Sequence, residues 1–284
     1  MGVLTTRQVV KRFAGLVAVD HVDLEVQEGE VRGIVGPNGA GKTTLFNLIS
    51  GFYPVTSGRI EFLGKDITTT SAHRRAGLGI GRTFQATQLF SEMTVLENVA
   101  TGRHTSTRNG AWAAVLRSRA FRRSLQRDRE LAEEIIDFVG LRGTGSLLAS
   151  SLPYGQQRLV EIARAIVNQP QLLLLDEPAA GMNLHEIEAL NELIRKINET
   201  RINGTRVTIL VVEHNMRVIM NISHRISVLD FGEKIAEGPP KEIQQNERVI
   251  AAYLGSTTGG NASLGSSTGL AAAGGSSGGG RAGA

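Results

Sequence analysis

A glycine-rich run between residues 36 and 44 has the composition of a phosphate-binding loop. It consists of Gly36, Pro37, Asn38, Gly39, Ala40, Gly41, Lys42, Thr43 and Thr44. This run fits the spacing G-x-x-x-x-G-K-[ST], in which backbone N–H groups point inward at a phosphate. Lys42 is expected to reach the β- and γ-phosphates, and the Thr43 hydroxyl is expected to coordinate Mg²⁺. The run therefore predicts a site for a nucleoside triphosphate.

Two adjacent carboxylates follow a run of four leucines, Leu172–Leu175. Such a run is typical of a strand buried on both faces of a parallel sheet. Asp176, at its end, would face the glycine-rich loop and is suited to coordinate Mg²⁺. Glu177 is suited to take a proton from the attacking water as a general base. Two more polar residues, Gln85 and His214, stand where strands are expected to end, although composition alone gives them no role.

The elements that must position these residues alternate between strands and helices. Strands are expected over 4–13, 22–26, 31–35, 172–175 and 207–212, and helices over 42–50 and 184–200. This alternation predicts an α/β fold with a parallel sheet, preceded by a pair of antiparallel strands.

Two regions depart from this pattern. Residues 90–155 carry helical patterns at 95–100, 111–125 and 129–138, with no obvious buried strand, and predict an inserted helical subdomain. The arginines between 101 and 130 are interpreted as a solvated basic face, with proximity to an anionic membrane surface as the second interpretation. Of the 29 residues at 256–284, 25 are Gly, Ala, Ser or Thr, which predicts a disordered, flexible tail after a folded domain at 1–255.

Composition excludes several classes of function. The chain of 284 residues is 41% hydrophobic, carries a net charge of +4 and contains no cysteine. Disulfides, thiolate zinc sites and a cysteine nucleophile are therefore excluded. No apolar run approaches the roughly 20 residues that cross a bilayer. The first residues lack the apolar core of a secretory signal, so we expect a cytoplasmic protein.

Together these motifs resemble the ATP-binding subunit of ABC transporters over residues 4–255. The diagnostic stretch is Leu152–Arg158, LPYGQQR, which is similar to the signature sequence that opens a helix in that family. The resemblance implies that this helix extends over Gln157–Asn168 here. The order of glycine-rich loop, Gln85, signature, Asp176-Glu177 and His214 is specific to the family. The resemblance implies a P-loop ATPase domain with a mixed parallel sheet, an antiparallel β subdomain and an inserted helical subdomain.

The resemblance also implies ATP and Mg²⁺ as ligands, and it implies roles for single residues. Phe13 is similar to the aromatic residue that stacks on adenine, and His214 to the histidine that contacts the γ-phosphate. Gln85 is similar to the glutamine that touches Mg²⁺ and the attacking water. Gly155 and Gln156, in the signature, are implied to contact the nucleotide of a second subunit. In this family two ATP-binding subunits close head to tail, and a loop similar to 180–183 crosses their interface.

Two positions depart from the family pattern. The signature has Pro153 and Tyr154 where the family usually has serine and glycine, and the interface loop ends in Asn183 where it usually has aspartate. Pro153 offers neither a hydroxyl nor an N–H, so one contact to the γ-phosphate across the interface should be missing. These departures suggest a heteromeric pair of ATPase subunits with unequal sites.

The strongest likeness within the family is to the importers of branched-chain amino acids. It is carried by Lys11–Val19, Gly81–Gln85, Leu89-Phe90 with Met93–Val99, Pro178–Asn183 and Ile250–Gly255. It implies two transmembrane permease subunits, a second ABC ATPase subunit and, indirectly, an extracytoplasmic solute-binding protein as partners, with no nucleic acid. It also implies a peripheral protein on the cytoplasmic face of the plasma membrane.

Several alternatives remain open at this point. Urea and amide importers and the lipopolysaccharide-export ATPase carry nearly the same motifs. A soluble ABC ATPase of translation or DNA repair is a remote alternative, since such chains usually carry two such domains or long coiled coils. A regulatory subunit that binds ATP without useful hydrolysis has only Pro153 in its favour.

Overall fold

The structure, a computed structural model, describes residues 2–84, 88–103, 119–202 and 204–255. Its strands are β1 (Gly2–Phe13), β2 (Leu16–Gln27), β3 (Val31–Val35), β4 (Ser57–Phe62), β5 (Lys65–Asp66), β6 (Ile80–Arg82), β7 (Leu172–Asp176), β8 (Arg201–Ile202), β9 (Thr205–Arg206), β10 (Thr208–Val212), β11 (Arg225–Asp230) and β12 (Glu233–Gly238). Its helices are α1 (Lys42–Ile49), α2 (Ala72–Gly77), α3 (Val95–Thr101), α4 (Arg119–Phe138), α5 (Tyr154–Ile166), α6 (Leu184–Glu199), α7 (Met216–Ile222), α8 (Pro240–Gln245) and α9 (Glu247–Gly255), with a 3₁₀ turn at Ala149–Ser151.

The central sheet has the strand order β12-β11-β3-β10-β7-β6. Its neighbours pair in parallel from β11 to β6, and β12 is an antiparallel edge strand. Every residue of β3, β7 and β10 is buried, as expected for apolar strands that are covered on both faces. Because parallel strands end at one edge of the sheet, the residues that follow β3, β7 and β10 lie along the same edge.

The leucine run of β7 contributes to two separate cores. Leu172 and Leu174 pack with the smaller sheet, whereas Leu173 and Leu175 pack with the helices on the opposite face. This alternation follows from the two-residue period of side chains along a strand. The predicted interpretation of the run as a strand buried on both faces is confirmed.

The smaller sheet is antiparallel, with the strand order β2-β1-β4-β5. The buried side chains of α1, among them Leu45, Phe46 and Leu48, share one core with this sheet and with one face of the central sheet. Helix α1 therefore lies between the two sheets, and its N-terminus is held at the edge where β3 ends. The predicted class, an α/β fold with an added antiparallel unit and inserted helices, is confirmed.

Helices α3, α4 and α5 pack together on the other face of the central sheet. Helix α4 runs without a break from Arg119 to Phe138, although the sequence predicted two segments with an end near residue 125. No glycine or proline stands between 125 and 129, and Asp128 pairs with Arg103 Nε at 3.0 Å. The subdomain boundaries at about 90 and 155 remain a prediction. Of the arginines predicted to form a basic face between 101 and 130, Arg123, Arg127 and Arg129 are exposed on α4, whereas Arg108 and Arg117 lie outside the described residues. The expected tail at 256–284 also lies outside them.

Helix α5 begins three residues earlier than the sequence predicted. Its first residue is Tyr154, and Pro153 stands at the N-cap with φ −54°. Proline restricts the residue before it to extended conformations and has the φ value of a helix start, so the helix begins directly after it. The signature residues Gly155 and Gln156 therefore lie within the first turn of α5 rather than before it.

None of the helices in the described ranges is both long enough and apolar enough to span a lipid bilayer.

Candidate functional site

The glycine-rich loop joins the end of β3 to the start of α1 in a conformation that needs glycine. Gly36 has φ 153° and Gly41, the N-cap of α1, has φ 96°. A Cβ atom on Gly36 would lie 2.1 Å from Leu229 O, and one on Gly41 would lie 2.4 Å from Ala18 O. The loop therefore curls tightly at the N-terminus of α1, where backbone N–H groups and the helix dipole favour an anion.

Lys42 is the first residue of α1, and its side chain turns back over this loop. Its Nζ atom donates hydrogen bonds to Gly36 O at 2.7 Å and to Pro37 O at 2.8 Å. Burial lowers the pKa of Lys42, while the charge of Glu177 acts in the opposite direction. A phosphate oxygen is a stronger, charge-assisted acceptor than a neutral carbonyl, so this ammonium group is well placed to bind phosphate.

Asp176 is the last residue of β7 and is 1% exposed. Its Oδ2 atom lies 3.3 Å from Arg82 Nη2, and its backbone N–H donates a hydrogen bond to Thr83 Oγ1 at 3.2 Å. Its Oδ1 atom is buried without a hydrogen-bond partner in the part of the chain that the structure describes. Burial raises the pKa of Asp176, and Arg82 opposes that shift.

An unpartnered, buried carboxylate oxygen beside the loop fits a hard cation such as Mg²⁺. Thr43 lines the adjacent cavity and can supply a hydroxyl oxygen. Within the described residues there is no cluster of three or more His, Cys, Asp or Glu side chains that could hold a metal. Mg²⁺ needs no such cluster, because it commonly binds one or two carboxylates together with substrate phosphates and water. Gln85, the remaining predicted ligand, lies outside the described residues.

Arg82 is a site residue that the sequence analysis missed. Its guanidinium group is largely buried at the end of β6, where it contacts Asp176 and donates to Ser50 Oγ at 2.5 Å. It also lies over three aromatic rings, with centroid distances of 5.1 Å to Phe52, 5.3 Å to Phe84 and 5.9 Å to Phe46. An arginine at the end of a short strand gives no sequence signal of this role, because its partners come from distant segments.

Glu177 and His214 are brought together from the ends of β7 and β10. The Nδ1 atom of His214 lies 3.8 Å from Glu177 Oε2. The Glu177 N–H donates to Val212 O at 2.9 Å, and Glu177 has φ 46°, in the left-handed region that such residues rarely adopt. This backbone conformation re-aims the carboxylate away from the strand direction at the position where the sequence predicted a general base.

Glu213 holds the backbone of His214 and is a second site residue that the sequence did not indicate. It is fully buried, and its Oε1 atom accepts the Ala179 N–H at 2.8 Å. Its Oε2 atom accepts the N–H groups of His214 at 3.2 Å and Asn215 at 3.3 Å. Burial raises the pKa of Glu213, and these hydrogen bonds oppose the shift. The carboxylate therefore fixes the turn that presents the His214 ring, which is 61% exposed.

A cavity of about 500 Å³ lies over the glycine-rich loop. Its described lining residues are Phe13, Leu16, Val17, Ala18, Asn38, Gly39, Ala40, Gly41, Lys42, Thr43, Thr44, Glu177 and Phe231. The polar end carries the loop and Glu177, and the apolar side carries Phe13, whose ring packs edge-on against Tyr53 at 5.4 Å. Lys11 Nζ lies 4.8 Å from the Phe13 centroid. A polar end beside an apolar side suits a nucleotide, with its phosphates on the loop.

The signature residues Gly155 and Gln156 are not among the described residues that line this cavity. A Cβ atom on Gly155 would lie 2.5 Å from Glu186 Oε1, so the first turn of α5 packs closely on the start of α6. Tyr154 packs in the same way against Gly181. Asn183 accepts the Glu186 N–H and forms a capping box with it at the start of α6. The amide that departs from the family pattern thus has a structural use as a helix cap.

The site combines a glycine-rich loop between a buried strand and a helix with a buried aspartate at the end of another parallel strand of the same sheet, followed by a glutamate. This combination defines a P-loop nucleotide-binding protein. The sequence matches the family described as ABC transporter over residues 19–180. It also matches the family described as branched-chain amino acid ATP-binding cassette transporter over residues 233–257. The chain therefore belongs to the ABC transporter ATP-binding family, whose members are ATPases.

Relatives align over most of the chain. The chain is 42% identical to the high-affinity branched-chain amino acid transport ATP-binding protein LivG of Salmonella typhimurium over 252 residues, which is 89% of this chain and 97% of LivG. It is also 42% identical to the high-affinity branched-chain amino acid transport ATP-binding protein BraF of Pseudomonas aeruginosa, over 89% of this chain and 98% of BraF.

Solved structures agree in fold. A nucleotide-free ATP-binding cassette from an ABC transporter superposes with a TM-score of 0.77 at 32% identity, over 89% of this chain and 99% of that one. The ADP conformation of a cassette superposes with a TM-score of 0.76 at 31% identity, over 90% of this chain and 99% of that one. A dimeric bacterial ABC transporter cassette superposes with a TM-score of 0.70 at 26% identity, over 84% of this chain and 98% of that one.

Proposed function

We propose that this chain is the subunit that binds and hydrolyses ATP in an importer of branched-chain, hydrophobic amino acids. The observation that carries the proposal is a P-loop cavity lined by Glu177, with His214 beside that carboxylate, in a chain that aligns over 89% of its length with proteins named for this transport. The solute does not touch this chain, so its identity rests on those relatives alone.

Binding of ATP is the task of the loop and α1. The N–H groups at the start of α1 hold the phosphates, and Lys42 moves from the carbonyls of Gly36 and Pro37 to the β- and γ-phosphate oxygens. Phe13 covers the base at the apolar side of the cavity. Gly155 and Gln156, at the N-terminus of α5, contact the nucleotide held by a second ATPase subunit.

Hydrolysis is the task of the residues that follow β7 and β10. Glu177 takes a proton from the water that attacks the γ-phosphate. His214, 3.8 Å from the Glu177 carboxylate, contacts the γ-phosphate and orients it toward that water. Glu213 holds the His214 backbone in place through two N–H groups. Gln85 is assigned to the water as well.

Thr43 and Asp176, together with Gln85, would hold Mg²⁺. When bound, this ion neutralises the negative charge on the phosphate oxygens. The unpartnered Oδ1 atom of Asp176 is the observation that supports this assignment. Arg82 keeps the other oxygen of the same carboxylate in place at 3.3 Å.

The proposed partners are two transmembrane permeases, a second ABC ATPase subunit and, through the permeases, an extracytoplasmic solute-binding protein. The chain would then lie as a peripheral protein on the cytoplasmic face of the membrane. The dimeric cassette among the similar structures supports the second ATPase subunit.

Pull-down of the tagged chain from detergent-solubilised native membranes, followed by mass spectrometry, tests the partners. We expect two different polytopic permeases and a second ATPase. Uptake of labelled leucine, isoleucine and valine by cells that lack the chain should return with the wild type. It should also return with the control Glu192→Gln, an exposed carboxylate on α6, and should not return with Glu177→Gln.

Three outcomes would contradict the proposal. Restored uptake of urea or acetamide without leucine would assign the chain to an amide importer. Recovery with exporter subunits and no solute uptake would assign it to lipopolysaccharide export. Recovery of ribosomes or DNA, with no membrane protein, would remove the chain from transport.

A further inference from the structure

Phe231 lies at the tip of the β11–β12 hairpin, and its side chain is unusually placed. It is 88% exposed and has φ 42°, followed by Gly232 with φ 87°. Asp230 pairs with Glu233, so Phe231 and Gly232 form a two-residue turn with positive φ at both positions. Such turns favour Asn, Asp or Gly, because a bulky side chain is strained there. An exposed phenyl ring therefore occupies a position where a small polar residue would be less costly.

Backbone hydrogen bonds fix this turn against the glycine-rich loop. The Gly232 N–H donates to Ala40 O at 3.1 Å, and the Asp20 N–H donates to Gly232 O at 2.8 Å. The Gly232 Cα lies close to Gly41, and its missing Cβ would lie 3.2 Å from Ala18 O. The turn is thus a fixed part of the cavity wall, and Phe231 is one of the residues that line the cavity, together with Phe13 of β1 and the start of β2.

We propose that Phe231 is a second aromatic contact of the nucleotide site, packing on the base–ribose portion of the bound nucleotide beside Phe13. This inference rests on the proposed binding of ATP. The phosphates are held by the loop at the polar end, so the apolar side of the cavity receives the part of the nucleotide that has flat, weakly polar faces. In the bound state the phenyl ring is covered by the base or the ribose.

The chain offers a matched control for the backbone of this turn. Leu63 and Gly64, between β4 and β5, form the same kind of two-residue turn, with φ 50° and 72°. Leu63 is 43% exposed and is not among the described residues that line the cavity. A change at Leu63 therefore alters the same kind of turn without touching the nucleotide.

Calorimetric binding of ATP and of inorganic tripolyphosphate, which has no base or ribose, tests the proposal. We expect Phe231→Ala and Phe231→Gly to weaken ATP binding about tenfold, as loss of one base–aromatic contact does, and to leave tripolyphosphate binding unchanged. Phe231→Trp should bind ATP like the wild type, and Leu63→Gly should change neither affinity. The urea midpoint of Phe231→Gly should be equal to or above that of the wild type, because glycine relieves the strained φ.

The results separate the inference from the proposed function. Failure of the wild type to bind ATP would remove the function itself. Wild-type ATP affinity in Phe231→Ala would overturn the inference alone. Equal weakening of ATP and tripolyphosphate would also overturn it, because Phe231 would then act through the shape of the loop and not through the nucleotide.

Discussion

The buried pair of Arg82 and Asp176 gives the sharpest stability prediction. Asp176 is 1% exposed, and the Arg82–Asp176 distance is 3.3 Å. At an effective dielectric constant of 20 the attraction at that distance is about 5 kcal/mol before the cost of desolvation. Arg82→Met leaves the carboxylate buried without its cation and removes the bond to Ser50. We therefore expect the free energy of unfolding to fall by about 3–5 kcal/mol.

Urea titration, followed by circular dichroism, measures this loss in the protein without nucleotide. Arg59→Met is the control, because Arg59 pairs with Asp66 at 3.2 Å with both side chains exposed. Such a surface pair contributes at most about 1 kcal/mol. Arg82→Lys should lie between these variants, since lysine keeps the charge and loses the planar fork of donors. Equal losses for Arg82→Met and Arg59→Met would refute the reasoning.

The pH dependence of the same variant has a definite sign. Burial raises the folded-state pKa of Asp176 and Arg82 opposes that shift, so Arg82→Met should raise this pKa further. A protonated Asp176 needs no cationic partner. The free energy of unfolding that Arg82→Met loses relative to the wild type should therefore be largest above the raised pKa of Asp176 in the variant. This loss should shrink as the pH falls through that pKa. A deficit that grows on acidification would contradict the assignment.

Further predictions concern the helix caps and Glu213. Asn183→Ala removes the acceptor for the Glu186 N–H and should cost about 1 kcal/mol in urea titrations. Pro153→Ser supplies α5 with a side-chain cap, which Pro153 does not provide, and should raise the free energy of unfolding by about 1 kcal/mol in the same assay. A lower free energy of unfolding would show that the rigid φ of proline contributes more than the cap. Burial raises the pKa of Glu213, so its contribution to stability is present at low pH and is lost as the pH rises through that pKa. Glu213→Gln should lack this slope, which begins at the ordinary glutamate pKa of 4.5 and continues toward higher pH.

The parts of the site that depend on local chain geometry were predictable from sequence. The glycine spacing at 36–41 predicts a tight loop, and in the structure Gly36 and Gly41 have backbone conformations and close contacts that require glycine. Leu172–Leu175 specifies a doubly buried strand, and a parallel strand delivers its following carboxylates to one known edge. These features need only neighbouring residues and the period of a strand.

The contacts between distant segments were not predictable. Arg82 meets Asp176 and Ser50 only because β6 lies beside β7 and the end of α1 comes close to both. Phe231 borders the nucleotide cavity only because the β11–β12 turn is tied to Ala40. Asn183 was interpreted through its missing charge, whereas its amide oxygen caps α6. Neither the hydrophobic periodicity nor a motif in the sequence indicates which distant residues come into contact.

The direct test of the account is single-turnover hydrolysis of ATP by the wild type and by Glu177→Gln, with Glu192→Gln as the control. Retention of bound nucleotide is measured in parallel. The account predicts that Glu177→Gln binds ATP with wild-type affinity and retains it, while its hydrolysis rate falls by about 100-fold or more. Glu192→Gln should match the wild type. Hydrolysis by Glu177→Gln at the wild-type rate would contradict the assignment of Glu177 as the general base and the mechanism built on it.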